Sequence, residues 1–155
     1  MKPLLDNLPD ILKSAFLTLE LTVLSILIGI LIGFLFALMR ISKVKILNYF
    51  SYYYSFVFRG TPLFVQIFII YFGLAQLEFI RESIFWIILK KPYWCAIIAF
   101  ALNTGAYTSE IFRSAFQTIR PGIIEAGKSL GLSKVFVFTK IQIPIAIKQS
   151  LPAYG

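Results

Sequence analysis

Residues Leu21 to Met39, "LTVLSILIGILIGFLFALM", run for 19 residues without a charge. As an α-helix this stretch is about 28 Å long at ~1.5 Å per residue. That matches the ~30 Å hydrocarbon thickness of a bilayer. Inside hydrocarbon, backbone polar groups must be satisfied within a helix or a closed barrel, so the run is expected to be a transmembrane helix. Composition agrees: 59% of the 155 residues are hydrophobic and 14% are charged, where a soluble domain carries about 25% charged residues. Gly29 and Gly33, four apart, either admit a neighbouring helix closely or reflect only how common glycine is in membrane helices.

Two further spans are expected. Gly60 to Leu77, "GTPLFVQIFIIYFGLAQL", has Thr61 as its expected N-cap and Pro62 at the first helical position. Arg59 just ahead can snorkel to headgroups. Tyr93 to about Ser109 follows Pro92, with Tyr93 and Trp94 as interfacial anchors. Between the first two spans, residues 46–58, "ILNYFSYYYSFVF", are uncharged and aromatic-rich. They either lie along the interface or extend span two.

The basic residues set an orientation. Lys2 and Lys13 at the N-terminus are offset by Asp6 and Asp10. The loop after span one has Arg40, Lys43, Lys45 and Arg59 with no acid, and the next has Arg81, Lys90 and Lys91 with Glu78 and Glu82. The stretch after span three has Arg113, Arg120, Lys128, Lys134, Lys140 and Lys148 with Glu110 and Glu125. The positive-inside rule then puts the N-terminus outside and residues 40–59 and 110–148 in the cytoplasm. The net charge of +8 is absorbed by this pattern and forms no basic patch, so no nucleic-acid partner is expected. The mixed charges of the first thirteen residues do not read as the n-region of a cleaved signal peptide. Cys95, the only cysteine, reads as a small buried hydrophobe. Histidine is absent, which removes imidazole from acid–base chemistry and metal ligation. No catalytic residue, metal or cofactor is expected.

One motif points elsewhere. In "GIIEAGKSLGLS", Gly122, Gly127, Lys128 and Ser129 fit G-x-x-x-x-G-K-[ST], the phosphate-cradling P-loop. A P-loop needs a buried strand before it. The preceding residues instead place Ile111, Phe112, Ala115, Phe116 and Ile119 on one helical face, with Glu110, Arg113, Gln117 and Arg120 on the other. About 45 residues follow span three, too few for the βαβ units of a nucleotide-binding domain. The other reading is a short helix. Pro121-Gly122 is expected to end the incoming helix, and Glu125 to sit near the new N-terminus, where the dipole favours it. Gly131 is expected as a left-handed C-cap and Ser133 as the next N-cap. Ala126 and Gly127 would give a smooth surface and Leu130 an apolar knob. On these residues alone, a docking helix and an ordinary cytoplasmic loop both stand.

The stretch also resembles the EAA loop of ABC-transporter permeases, E-A-A-x3-G-x9-I-x-L-P. Glu125, Ala126, Gly127, Gly131, Ile141, Ile143 and Pro144 occupy its positions, with Gly127 replacing the second alanine and Ile143 the leucine. "FRGTPLFVQIFIIYFGL" and "AYTSEIFRSAFQTIRPG" look like permeases of the polar amino-acid uptake subgroup. The resemblance implies an all-α transmembrane permease domain of the type I importer kind over residues 14–155, apparently incomplete at the C-terminus, with a cytoplasmic coupling loop at 110–134. It implies that Glu125, Ala126, Gly127, Leu130 and Gly131 belong to a coupling helix seated in a cytoplasmic ATP-binding cassette ATPase. It further implies a second permease subunit, same or related, and an extracytoplasmic amino-acid-binding protein in a bacterial inner membrane. For residues 135–147 the alternation of Val135, Val137, Ile141, Ile143, Ile145 and Ile147 locally suggests a strand. The family implies a helix, broken or kinked near Pro144.

Few polar residues lie in the spans. Gln66, Asn103, Thr104 and Tyr107 either line a solute path or hydrogen-bond to neighbouring helices. Glu20 reads as interfacial, and Glu110 with Arg113 as an i, i+3 pair. A secondary transporter or channel would need acidic residues near the midplane. A non-transporting assembly subunit would have no need of the loop spacing.

Overall fold

The computed structural model describes residues 7–154; Lys2, Asp6 and Gly155, which entered the charge count and the expected domain, lie outside the described residues. Helix α1 (Leu8–Ile41) is 34 residues long and begins well before the uncharged run. Its first turns carry Asp10, Lys13 and Glu20. There the hydroxyls of Ser14, Thr18 and Thr22 donate to the carbonyls of Asp10, Ser14 and Thr18 at 2.8, 2.9 and 2.7 Å, continuing the helix instead of competing with it.

The aromatic stretch forms a helix of its own, α2 (Lys45–Gly60). The chain then bends by 107° into α3 (Leu63–Phe68), which continues as a π turn (Ile69–Gly73) and a 3₁₀ turn (Leu74–Gln76). The expected start of span two is therefore corrected. Thr61 closes α2 and does not open α3: its N–H and its hydroxyl both donate to the Val57 carbonyl. Pro62 takes the cap position with extended backbone, φ −60° and ψ 136°. A residue before proline is pushed out of the α region, which is why the break falls at Thr61.

After the short turns α4 (Glu78–Arg81) and α5 (Trp86–Leu89), helix α6 runs from Pro92 to Gln117. Span three and the amphipathic stretch beyond residue 109 are one continuous helix. It ends before Pro121-Gly122, which open α7 (Pro121–Ser129) and terminate nothing. The expected stop is corrected to a start, which proline at the first helical position equally allows.

Among the described residues α1 and α6 are each long and apolar enough to cross a bilayer, and α2 with the 63–76 segment makes a third crossing only as one bent span. The α1–α6 seam is a ladder of small residues. Ser25, Gly29, Gly33 and Ala37, every fourth residue, are the buried residues of α1. A Cβ added at Gly29 would stand 2.7 Å from Thr104 Cβ, and one at Gly33 2.5 Å from Thr108 Cβ and 2.8 Å from the Gly105 carbonyl. So the small-xxx-small pattern does seat a neighbour. Near the α7 end, Ala115, Phe116, Ile119 and Ala146 form a cluster with Phe34, Leu38 and Ile143 against it. Cys95 is buried, its thiol facing the Leu89 carbonyl at 3.1 Å.

Residues 135–147 are helical. They form α8 (Lys134–Val137), a π turn (Phe138–Gln142) and α9 (Ile143–Ser150), with Pro144 in the first turn of α9. The strand periodicity is overruled and the break lies just ahead of the proline. Proline cannot donate back into the preceding turn, and the π turn takes up the mismatch.

Candidate functional site

Arg120, with extended backbone (φ −61°, ψ 129°), turns the chain out of α6, and Pro121 begins α7. The far end is fixed by backbone geometry. Gly131 has φ +74°, the only positive φ among the described residues. Its N–H donates to the Lys128 carbonyl at 2.9 Å, and the Leu132 N–H donates to the Gly127 carbonyl at 3.2 Å. Together these are a Schellman motif. Ser133 Oγ then accepts from the Phe136 N–H at 3.2 Å and caps α8. Gly131 and Ser133 thus sit in the roles read from the sequence.

Two other expectations for α7 change. The helix begins at Pro121, so Glu125 lies in its second turn and gains little from the dipole. Gly127 does not face outward. It is the one buried residue of α7, and a Cβ there would meet Val137 Cγ2 at 3.0 Å and Ile141 Cδ1 at 3.6 Å. Its missing side chain lets α7 rest on the π-broken helix behind it. The outward surface is made by Ile123, Glu125, Ala126, Lys128 and Leu130, the last 79% exposed. Gly127, Lys128 and Ser129 lie within a helix that follows another helix, so they do not form the strand-to-helix turn of a P-loop.

The four polar residues of the spans do not line one path: Gln66 and Asn103 meet at the α2–α3 bend, Thr104 shares a cavity with Asn103, and Tyr107 borders a different cavity. Gln66 Nε2 donates to the carbonyls of Phe58 and Thr61 and to Thr61 Oγ1 at 2.8, 3.0 and 2.8 Å. Asn103 Nδ2 donates to the same Phe58 carbonyl at 3.1 Å and to Gln66 Oε1 at 3.2 Å. These two amides hold the 107° bend by filling the carbonyls that the α2 terminus leaves open. Thr104 packs in the seam against Gly29 and lines a cavity of about 220 Å³ with Ser25 and Asn103. Tyr107 is half-exposed and opens to another cavity of about 440 Å³.

That second cavity borders a cluster read only in part from the sequence. Glu110 Oε2 accepts from Arg113 Nε at 2.7 Å, the expected i, i+3 pair. Arg40 Nε also stands 3.9 Å from Glu110 Oε1, and Arg59 Nη1 4.0 Å from Glu110 Oε2. Glu110 therefore gathers three guanidiniums from α1, α2 and α6. Spacing along one helix cannot show partners from other helices. The available signal was four charges assigned to the same membrane face with only one acid among them. Glu20, as expected for an interfacial position, accepts from the exposed Tyr93 hydroxyl at 2.8 Å.

Comparison with known proteins adds an independent line. The family model described as binding-protein-dependent transport system inner membrane component matches residues 25–155. The nopaline transport system permease protein of Agrobacterium fabrum is 43% identical over 153 residues, 98% of this chain and 64% of that protein. The octopine transport system permease protein of Rhizobium radiobacter is 48% identical over 139 residues, 90% of this chain and 57% of that protein. The histidine/lysine/arginine/ornithine transport system permease protein of Escherichia coli K12 is 35% identical over 140 residues, 90% of this chain and 59% of that protein. The chain thus spans less than two thirds of the length of these relatives. A crystal structure of an amino acid ABC transporter with histidines superposes with a TM-score of 0.72 at 36% identity, covering 93% of this chain and 66% of that one.

Proposed function

Because the chain belongs to the family of binding-protein-dependent transport system inner membrane components, we propose that it is the membrane-spanning permease part of an ATP-driven importer for polar amino acids. In this reading it lies in a bacterial cytoplasmic (inner) membrane with its N-terminus outside. A separate cytoplasmic ATP-binding cassette ATPase hydrolyses the ATP, and this chain is not itself an enzyme. A second permease subunit, same or related, completes the path, and an extracytoplasmic amino-acid-binding protein delivers the solute. The names of the Escherichia coli relative and of the solved transporter support amino acids as the cargo class.

The observation that carries the reading is the construction of α7. It is a two-turn helix whose outer surface is uncommitted, ended by a Schellman motif and braced from behind through Gly127. Such a helix can be gripped outside and pass a displacement inward. We assign Glu125, Ala126 and Leu130 to the ATPase contact, Gly131 to its termination and Gly127 to the brace. Residues 110–134 would lie on the cytoplasmic side, with α6 delivering the loop from the membrane.

The complete permease purified with its ATPase tests this. Leu130→Asp with Glu125→Arg is expected to weaken association by about tenfold or more. Gly131→Ala places a Cβ at positive φ, which strains the terminus by about 1–2 kcal/mol, and is expected to lower uptake while the spans stay folded. Unchanged association together with unchanged uptake would sink the assignment.

A further inference from the structure

The connection between α3 and α6 is divided by chemistry. Its first part carries the charges: Glu78, Arg81 and Glu82 line, with Trp86, a cavity of about 410 Å³. Its second part, Ile84 to Leu89, is an unbroken run of six large apolar residues, closed by Lys90 and Lys91. Ile84, Phe85 and Ile87 are 76%, 67% and 60% exposed. In water an exposed run of this kind is a liability that needs a partner.

The depth of the run says what that partner is. Glu20 immediately precedes the uncharged stretch of α1 and accepts from the Tyr93 hydroxyl at 2.8 Å, so this pair marks the edge of the hydrocarbon. On α6, Cys95 lies two residues further in, about 3 Å. Its thiol donates to the Leu89 carbonyl at 3.1 Å, and Leu89 packs on the cluster of Ile70, Cys95 and Ala99. Helix α5 therefore sits at or inside the plane of Glu20 and Tyr93, folded back along the first turns of α6. Its backbone also suits hydrocarbon. Each N–H from Trp86 to Lys91 donates to a carbonyl within residues 83–88. That meets the demand lipid makes on any chain inside it.

We propose that Ile84–Leu89 is inserted in the outer leaflet of the bilayer, its exposed side chains among the acyl chains and Lys90 and Lys91 reaching back to phospholipid phosphates. The lipid that surrounds α1 and α6 is continuous with this patch, and a cation pair at its border complements headgroup phosphate. The loop thereby ties the outer ends of α3 and α6 to one depth. Insertion rests on α1 and α6 being membrane spans; the choice of leaflet rests on the orientation in the permease reading above.

The test uses the complete permease–ATPase complex in proteoliposomes, with a bimane label at Phe85→Cys or, as the polar control, at Glu82→Cys. Cys95 is 1% exposed, and wild type is expected to stay unlabelled. The label at position 85 is expected to lose emission to a phospholipid carrying a nitroxide high on its acyl chain and to keep it in aqueous iodide. The label at position 82 is expected to do the reverse. If Phe85→Cys does not assemble with the ATPase, Ile84→Cys takes its place. Iodide quenching at position 85 would place the run in water and overturn the proposal. Quenching by neither agent would mean cover by protein, such as a second permease subunit, and overturn it as well. So would lipid quenching that disappears when a loaded binding protein docks. Orientation is read separately: a membrane-impermeant maleimide is expected to reach Glu82→Cys from outside intact cells. Modification only from the cytoplasmic side would overturn the orientation, and the outer leaflet with it, whatever the quenching shows.

Discussion

Helices α1 and α6 are the two long spans, and they divide the work unequally. The most apolar window of α1 has a mean hydropathy of 2.8, yet only 22% of it is buried in protein; for α6 the values are 1.2 and 50%. In a water-soluble protein the more apolar helix would be the more buried. Here the order is reversed because the outer solvent is hydrocarbon. A helix facing lipid has to be apolar all round, whereas one facing other helices carries the polar groups that hold them together. Asn103, Thr108 and Ser109 lie on α6, while α1 meets it through glycine, alanine and serine.

The strongest way to break this comparison is at the seam itself. Gly33→Leu would drive a side chain into Thr108 and into the Gly105 carbonyl, 2.8 Å from a Cβ at that position, and backbone cannot step aside. The expected outcome is separation of α1 from α6, with a loss beyond about 3 kcal/mol read as collapse of the detergent thermal midpoint. Next comes the lipid face of α1. Leu31 is 66% exposed, and a charge there would be harmless in water. Leu31→Arg is expected to oppose membrane insertion by about 2.5 kcal/mol, measured with a glycosylation-tag insertion assay. Efficient insertion would show that this face is covered by protein.

On α6 the expectation has the opposite sign. Asn103→Leu makes the helix more apolar but removes donors from Phe58 and Gln66. It is expected to destabilise by about 0.6–1.5 kcal/mol, and a spin-label pair across the α2–α3 bend should report a broader distance distribution. The smallest effect is expected at Gly127, a close approach outside the two spans. Gly127→Ala gains helix propensity of about 1 kcal/mol against a Val137 contact at 3.0 Å that has to yield by a few tenths of an ångström. The net change in thermal midpoint should be near zero, where Gly33→Leu is ruinous.

These positions also show what could be read in advance. The long apolar run, the Gly131 cap and the Ser133 cap were legible because each is set by residues adjacent in the chain, whereas the glycine pair on α1 stood open until its partners Thr104 and Thr108 on α6 decided it. The start of α3 was placed one residue early because Thr61 can cap on either side of the break, and Pro121-Gly122 was misplaced because proline marks helix starts as readily as stops. Gln66 and Asn103 were found as polar residues in apolar surroundings, but their partner, the Phe58 carbonyl, is invisible to any side-chain pattern. The joining of Arg40, Arg59 and Glu110 depends on how three helices pack. Gly127 reads in the sequence as part of a smooth outward surface, and the structure turns it inward against Val137.

That last residue has a mechanical consequence. Most helix contacts pass through side chains, each with rotamers that can give, so a small displacement dissipates before the far side feels it. At Gly127 half of that cushion is missing: α7 brings bare main chain to the Val137 side chain, which is β-branched and has few rotamers to give. The Gly131 N–H and the Leu132 N–H tie the next residues back to the same turn. The joint between α7 and α8 therefore has less slack than a contact between two long side chains, and a shift imposed on α7 is passed on through Val137.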